Sequence, residues 1–163
     1  MKGITPFLWF DGQAEEAAEL YVSVFPRSKI TDVTRYGEGG RGEPGKVMTV
    51  AFELDGTKFV ALNGGPEYSF DQAISFVVNC ETQDEVDHFW QKLGEEGGEP
   101  GPCGWLKDKY GVPWQVVPTA LPELLTQSER EASQRVMAAM MKMGKIEIEA
   151  LERAAEGAEA PVA

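Results

Sequence analysis

The spacing of apolar and polar residues predicts a strand, a helix and three further strands in the first part of the chain. Residues 5–10 form a short apolar strand candidate, and residues 12–25 follow as a helix. The apolar positions at helical spacing are Ala14, Ala17, Ala18, Tyr21 and Val24. The three later strands are predicted at 29–36, 47–54 and 58–63. Residues 1–70 are therefore predicted to form a βαβββ module.

Two glycine-containing segments connect these later strands. Asp55-Gly56 is typical of a type I′ hairpin turn, because both residues tolerate a positive φ. Residues 37–45 contain five glycines and Pro44, and we interpret them either as a mobile lid or as the tip of a long hairpin. No strand leads directly into this loop with a helix behind it, so it does not match a phosphate-binding loop.

The pattern recurs further along the chain, which indicates an internal duplication. A shift of 69 residues places Phe7, Leu8 and Trp9 over Phe76, Val77 and Val78, and Ala17, Leu20, Tyr21 and Val24 over Val86, Phe89, Trp90 and Leu93. The second helix is predicted to begin at a capping box, Thr82-Gln-Asp-Glu85, and to run to about Glu96. Strands are predicted at 73–79, 102–107 and 112–117, so residues 71–118 form the second module.

A tight turn at residues 108–111 joins the last two predicted strands. Gly111 supplies a positive φ, and Asp108 is expected to bond to the turn backbone through its side chain. Pro113 has no N–H to donate, so it is expected at the start or the edge of its strand. Trp105 and Trp114 flank the turn, and either the core or a ligand pocket would suit their large apolar rings.

The remainder of the chain is predicted to be a helical tail at residues 119–156. Ser128-Glu-Arg-Glu131 is a second capping box, and Gly144 separates the first helix from an amphipathic segment at 146–155. The apolar stripe of that first helix consists of Ala132, Val136, Ala139, Met140 and Met143. Its methionines indicate an adaptable surface that covers a sheet or a partner subunit. Residues 157–163 are expected to be disordered.

Composition narrows the possible partners and the compartment. The 163 residues are 42% hydrophobic, which suits one domain, and the net charge of −12 disfavours nucleic acid or an anionic membrane as a partner. The chain has no apolar run long enough to span a membrane and no signal peptide, so we expect a cytoplasmic protein. Cys80 and Cys103 lack CxxC spacing and are expected to be free thiols.

Two motifs carry a resemblance to a known family. Residues 4–12, Ile-Thr-Pro-Phe-Leu-Trp-Phe-Asp-Gly, and 104–118, Gly-Trp-Leu-Lys-Asp-Lys-Tyr-Gly-Val-Pro-Trp-Gln-Val-Val-Pro, resemble the PhnB-like branch of the vicinal oxygen chelate superfamily. The resemblance extends from residue 4 to about residue 155. It implies an α+β fold, with two βαβββ modules whose curled mixed sheets form a concave cleft, plus C-terminal helices. It also implies a homodimer of paired or swapped modules.

The same resemblance implies positions where the superfamily's enzymes hold a divalent metal through four His, Glu or Gln side chains. These positions correspond to Pro6, to Ser75, to residues 60–63, where only Asn63 offers an oxygen, and to Gln115. A lone amide cannot replace several metal-bound waters, so we expect neither a metal nor another cofactor. Members of the branch often carry a 3-demethylubiquinone-9 3-methyltransferase label. This chain lacks the strand–GxGxxG–helix unit that many methyltransferases use.

No catalytic group can be assigned from the residues themselves. The only histidine, His88, lies beside Phe89 and Trp90 on the second predicted helix and is expected to be structural or exposed. Cys103 is the one remaining nucleophile candidate, or else a small buried apolar residue.

Strand alternation instead predicts a mainly apolar binding cleft. It puts Leu8 and Phe10 on the face of Pro6, and Val77 and Asn79 on the face of Ser75. The predicted ligand-contacting residues are Leu8, Phe10, Asn63, Ser75, Val77, Asn79, Cys103, Trp105, Trp114 and Gln115.

Three functions remain open at this point. The favoured one is a metal-free protein that binds a hydrophobic or planar small molecule. The second is a metal-dependent enzyme of the vicinal oxygen chelate type, or a methyl-transfer relative, that recruits its metal through a set including Gln115. The third is an interaction protein whose cleft is vestigial and whose homodimer is the functional unit.

Overall fold

The computed structural model describes residues 3–126 and 129–157. The chain has an α+β architecture and divides into two compact units, Met1–Phe70 and Asp71–Ala163. Within the described part of the chain, no helix combines the length and the apolar composition needed to cross a membrane.

The first unit is a βαβββ module, as the apolar pattern predicts. Strand β1 (Phe7–Phe10) is followed by helix α1 (Ala14–Val24) and by strands β2 (Lys29–Arg35), β3 (Val47–Leu54) and β4 (Thr57–Asn63). The sheet order is β1-β4-β3-β2, with β1 parallel to β4 and the other neighbours antiparallel. Asp55 and Gly56 have φ values of 45° and 82°, which confirms the type I′ turn between β3 and β4.

Helix α1 covers one face of this sheet. The Tyr21 ring, which is fully buried, lies 6.1 Å from Phe52 of β3, and Phe52 stacks on Phe59 of β4 at 5.4 Å. Side chains of a strand alternate between faces, and Thr49 and Ala51 of β3 accordingly point to the opposite, helix-free face and are only half-buried. Burial of each large apolar side chain against α1 contributes about 1.5–3 kcal/mol.

The second unit repeats this topology. Strand β5 (Phe76–Cys80) leads to helix α2 (Gln83–Gly94), and then to β6 (Glu99–Pro100), β7 (Trp105–Lys107) and β8 (Pro113–Pro118). The sheet order is β5-β8-β7-β6, with β5 parallel to β8. Strand β6 was missing from the strands predicted by periodicity, because two residues are too few to show an alternation. The predicted β7 begins at Trp105 rather than at residue 102, after a turn.

Thr82 is the N-cap of α2, as predicted, but the Glu85 side chain accepts its hydrogen bond from a different backbone N–H than the capping box predicts. The Thr82 hydroxyl accepts a hydrogen bond of 3.2 Å from the Glu85 N–H. Glu85 Oε2 accepts a hydrogen bond of 2.6 Å from the N–H of Glu81, one residue earlier than the capping box predicts. Both side chains still satisfy backbone donors next to the helix terminus.

The strands and the helices of the two modules do not share one repeat offset. Helices α1 and α2 start 69 residues apart, at Ala14 and Gln83. Leu8 and Val77 are also 69 residues apart, yet Leu8 is buried and Val77 is 50% exposed. The buried face of β5 carries Val78 instead. Pro6 and Ser75 are therefore not equivalent positions, because a difference of one residue in the offset moves a strand side chain to the other face.

Three helices complete the second unit: α3 (Ala120–Leu125), α4 (Arg130–Met140) and α5 (Ile148–Glu156). Their core contains Leu121, Val136, Ile146 and Leu151, and Val117 of β8 packs against it. The predicted amphipathic stretch from residue 146 becomes helical only at Ile148, and Ile146 is buried in the loop that precedes the helix.

Two predictions about this tail fall on residues that the structure does not describe. Ser128, the predicted cap of α4, lies outside the described residues, and Glu129 occupies the N-cap position without a side-chain capping bond. Residues 158–163, most of the segment expected to be disordered, also lie outside the described part, so that expectation stays a prediction.

Candidate functional site

A buried carboxylate organises the turn between β7 and β8. Asp108 is 2% exposed, and its Oδ1 accepts hydrogen bonds from the N–H groups of Tyr110 (2.9 Å) and Val112 (3.0 Å). Its Oδ2 accepts a hydrogen bond of 2.9 Å from Trp114 Nε1. The side-chain bond predicted for Asp108 is thus confirmed, and Gly111 has the predicted positive φ of 86°. The network fixes the start of β8 and hence the direction of Gln115.

Trp114 is a core residue and not part of a ligand pocket. It is 3% exposed, and its ring lies 5.5 Å from Phe76 on the face that α2 covers. Its one polar atom is satisfied by Asp108, as a buried indole requires. Trp105 instead lies on the face opposite α2, in register with Gln115, and is half-buried.

The face of the second sheet opposite α2 collects most of the remaining predicted residues. Val77, Gln115 and Trp105 form one cross-strand row, because Gln115 is in register with both of the others. Gln115 Nε2 donates a hydrogen bond of 2.9 Å to Ser75 Oγ. Asn79 is exposed on the same face as Val77. We call Ser75, Val77, Asn79, Trp105 and Gln115 the second-module face.

The Ser75–Gln115 pair retains hydrogen-bonding capacity toward a ligand. Gln115 Nε2 uses one proton on Ser75, and no described residue donates to Gln115 Oε1. The Ser75 hydroxyl accepts the bond from Gln115, so its own proton can be donated elsewhere. An acceptor and a donor therefore lie next to each other beside the apolar side chains of Val77 and Trp105.

Leu8 and Phe10 lie in the core of the first module, which corrects their assignment to a ligand cleft. They are 6% and 3% exposed, on the face that α1 covers. Alternation correctly placed the two side chains on one face, but it does not reveal which face a helix will cover. Phe7 and Trp9 occupy the helix-free face, and Phe7 is 60% exposed.

Asn63 has a structural role, because both polar atoms of its side chain bond to backbone. Its Oδ1 accepts a hydrogen bond of 2.8 Å from the N–H of Ala14, at the first turn of α1, and its Nδ2 donates to the carbonyl of Val47 at 3.1 Å. The Asn63 carbonyl accepts a hydrogen bond of 2.5 Å from the Tyr36 hydroxyl. These bonds join β4, the start of α1 and the β2–β3 hairpin.

Both thiols are free, and neither belongs to a nucleophilic arrangement. Cys103 Sγ lies 3.6 Å from the Met140 carbonyl and 3.7 Å from Met141 Sδ, so it contacts the end of α4. Burial, with a smaller contribution from the nearby Glu85 carboxylate, raises the pKa of Cys80 to about 12. His88 is exposed on α2, with its ring 5.0 Å from Phe89.

The residues at the expected metal positions do not fit a divalent ion. Pro6 has no side-chain donor, both polar atoms of the Asn63 amide are bonded to backbone, and Ser75 and Gln115 offer only a hydroxyl and an amide. A stable site needs charged or imidazole donors. Among residues 3–126 and 129–157, no three His, Cys, Asp or Glu side chains are grouped so that they could hold a metal.

A charged groove in the first module escaped the sequence analysis. It has a volume of about 690 Å³ and lies beneath the glycine-rich β2–β3 loop. Its lining residues are Asp11, Gly12, Glu15, Arg35, Tyr36, Arg41, Gly42, Glu43, Lys46, Val47, Asn63, Gly64 and Gly65. We call it the first-module groove. The clustering of cations on one hairpin was a visible signal in the sequence, but only the fold brings them next to Asp11 and Glu15.

Solved structures share this architecture. A Bacillus cereus PhnB protein is 37% identical, with a TM-score of 0.65, and the match covers 72% of this chain and 100% of that one. A Pseudomonas aeruginosa protein is 20% identical, with a TM-score of 0.61, over 72% and 98% of the two chains. The fosfomycin resistance protein FosX of Listeria monocytogenes is 13% identical, with a TM-score of 0.52, over 76% and 98%. The search of curated proteins found no match.

Two βαβββ modules of this topology form the α+β architecture that these solved structures share, in agreement with the fold that the sequence resemblance implies. The chain belongs to the family described as 3-demethylubiquinone-9 3-methyltransferase, whose model matches residues 2–117.

Proposed function

We propose that this protein binds a small, mainly apolar molecule on the second-module face and that it needs no metal to do so. The observation that carries the proposal is the row of Val77, Gln115 and Trp105, beside the Ser75–Gln115 hydrogen bond. An apolar surface with a few oriented polar groups is the usual composition of a small-molecule site.

The polar pair restricts the class of ligand. Gln115 Oε1 accepts a hydrogen bond and the Ser75 hydroxyl donates one, so an amide or an aromatic amine with a neighbouring carbonyl matches both groups. Val77 is 50% exposed and would lose water on contact with a ring or an alkyl chain. The ligand is therefore a neutral planar or apolar compound with a single polar edge.

The donor set argues against the metal-dependent alternative. Gln115 would be one weak ligand without a charged companion among the expected positions, and its amide nitrogen already bonds to Ser75. Metal analysis of purified protein separates the possibilities. A stoichiometric transition metal that is lost in Gln115→Ala would overturn the proposal in favour of a metal-dependent enzyme.

The binding test uses N-phenylnaphthylamine, a neutral aromatic amine whose fluorescence rises in apolar surroundings. Wild-type protein is expected to bind it saturably, and Val77→Asp is expected to weaken binding about tenfold or more, because the new charge must lose water. Val33→Asp is the matched control, since Val33 is an exposed strand valine (37%) of the first sheet. Equal losses in both variants would contradict the proposal.

We also propose that the protein is a cytoplasmic homodimer. Exposed apolar side chains support the dimer, with Ile4 90% and Met141 63% exposed, and the free thiols of Cys80 and Cys103 suit a reducing compartment. Light scattering at micromolar concentration is expected to give twice the mass of the chain. A monomer mass across the same concentrations would refute the dimer and leave the binding proposal intact.

A further inference from the structure

The first-module groove has a rigid floor whose polar groups are already bonded. The Tyr36 hydroxyl donates to the Asn63 carbonyl at 2.5 Å, and the Asn63 side chain bonds to backbone on both sides. The loop packs on the Tyr36 ring: a Cβ added at Gly42 would lie 2.4 Å from ring atoms. A ligand in the groove would therefore be recognised chiefly by charged side chains at its sides.

Three cations line the groove from one hairpin. Arg35 ends β2, and Arg41 and Lys46 belong to the loop that follows. Arg35 Nη1 donates to the Gly45 carbonyl at 3.1 Å, which fixes its guanidinium without neutralising it. Within the described residues none of the three forms a side-chain ion pair, although seven other cations do. In a chain of net charge −12, such a group of unpaired cations favours an anionic ligand group.

Acidic side chains line the same groove from other segments. Asp11 follows β1 and Glu15 lies in the first turn of α1, while Glu43 belongs to the loop. None of the three forms an ion pair with a described residue. A simple anion would be attracted by the cations and repelled by these carboxylates, and the reverse holds for a simple cation. A molecule with both charges matches both sets.

We propose that the first-module groove binds a zwitterionic small molecule, with its carboxylate or phosphate group at Arg35, Arg41 and Lys46 and its ammonium group at Asp11 and Glu15. A volume of about 690 Å³ lies within the range typical of metabolite-sized ligands. This site belongs to a different module and a different ligand chemistry from the second-module face, so neither proposal depends on the other.

Three probes of the same length separate charge matching from non-specific binding. Calorimetric titration at low salt is expected to show binding of ε-aminocaproate that is about tenfold tighter than that of caproate, which lacks the ammonium, or of hexylamine, which lacks the carboxylate. Binding is expected to weaken in high salt, because the groove is open to solvent. Equal affinities for the three compounds, or no binding of ε-aminocaproate, would overturn the proposal.

Variants test whether the groove is the site. Arg41→Ala and Glu15→Gln are each expected to weaken ε-aminocaproate binding severalfold. The matched control is Lys58→Ala, because Lys58 is an exposed cation of β4 outside the groove. An equal loss in Lys58→Ala would overturn the assignment. Val77→Asp is expected to leave ε-aminocaproate binding unchanged, and Arg41→Ala to leave N-phenylnaphthylamine binding unchanged, so each proposal can fail alone.

Discussion

The two modules share one strand order but use their amide side chains in opposite ways. Asn63 ends β4 on the face that α1 covers, where its side chain caps the helix start and holds the Val47 carbonyl. Gln115 lies on the face of β8 opposite α2, where its only described side-chain partner is Ser75. The comparison indicates that the sheet face, more than the topological position, decides whether a polar side chain is fully bonded within the fold or keeps hydrogen-bonding capacity.

The largest expected effect concerns the turn that orients Gln115. Asp108→Ala would leave the Val112 N–H and the Trp114 indole N–H buried without their acceptor, so the free energy of unfolding should fall by about 3 kcal/mol or more. Urea denaturation measures this loss. The control Asp32→Ala removes an exposed carboxylate of β2 and should change stability by less than about 0.5 kcal/mol. Comparable values for the two variants would show that the Asp108 network is not required.

The comparison between Asn63 and Gln115 predicts that Asn63 contributes much more to the stability of the fold. Asn63→Ala should cost about 2 kcal/mol of folding free energy, since a helix-cap bond and a carbonyl bond are both lost. Gln115→Ala should cost less than about 0.5 kcal/mol, because its partner Ser75 can bond to water instead. Paired urea titrations test this difference. A larger loss for Gln115→Ala than for Asn63→Ala would reverse the roles assigned to the two side chains.

A smaller effect should separate Gln83 from Gln91, two glutamines of α2. Gln83 Nε2 donates to the Ile146 carbonyl at 3.1 Å, and its Oε1 accepts from the Ile148 N–H at 2.8 Å. Gln83→Ala should therefore destabilise the protein by about 1 kcal/mol and increase amide hydrogen exchange at the start of α5. The matched control Gln91→Ala removes an exposed side chain of α2. Unchanged exchange at Ile148 in Gln83→Ala would contradict this role.

A further prediction concerns the response of Cys80 to alkaline pH. The thiol of the unfolded chain ionises near the ordinary cysteine pKa of 9.0, whereas burial holds the pKa of the folded state at about 12. The contribution of the buried, protonated Cys80 thiol to the free energy of folding is therefore fully present below pH 9.0 and is lost as the pH rises toward 12. The difference in stability between wild type and Cys80→Ala should shrink over this range. A difference that stays constant would show that the thiol ionises equally in both states.

Sequence patterns predicted the modules well because burial on one side imposes a visible period. The β1, α1, β3 and β4 segments, the Asp55-Gly56 turn and the start of β8 at Pro113 all followed from local spacing or backbone chemistry. Strand β6 escaped, since its two residues pair only because the β7–β8 hairpin lies beside them.

The candidate site was less predictable, because it depends on which face each helix covers. Leu8 and Val77 appeared equivalent in the repeat, yet Leu8 is buried beneath a helix and Val77 is exposed on the face opposite its helix. Trp114 could not be assigned to the core until Asp108 was seen to bond its indole. The first-module groove needs the β2–β3 loop and the start of α1 to be adjacent, which no local pattern encodes.

The most direct test of the central claim is an N-phenylnaphthylamine titration of protein stripped of metal with a chelator. We predict that wild type binds with the same affinity before and after stripping, and that Gln115→Ala binds about tenfold more weakly while its urea midpoint is unchanged. Binding that disappears on stripping and returns only when a divalent ion is added would contradict a metal-free site on the second-module face.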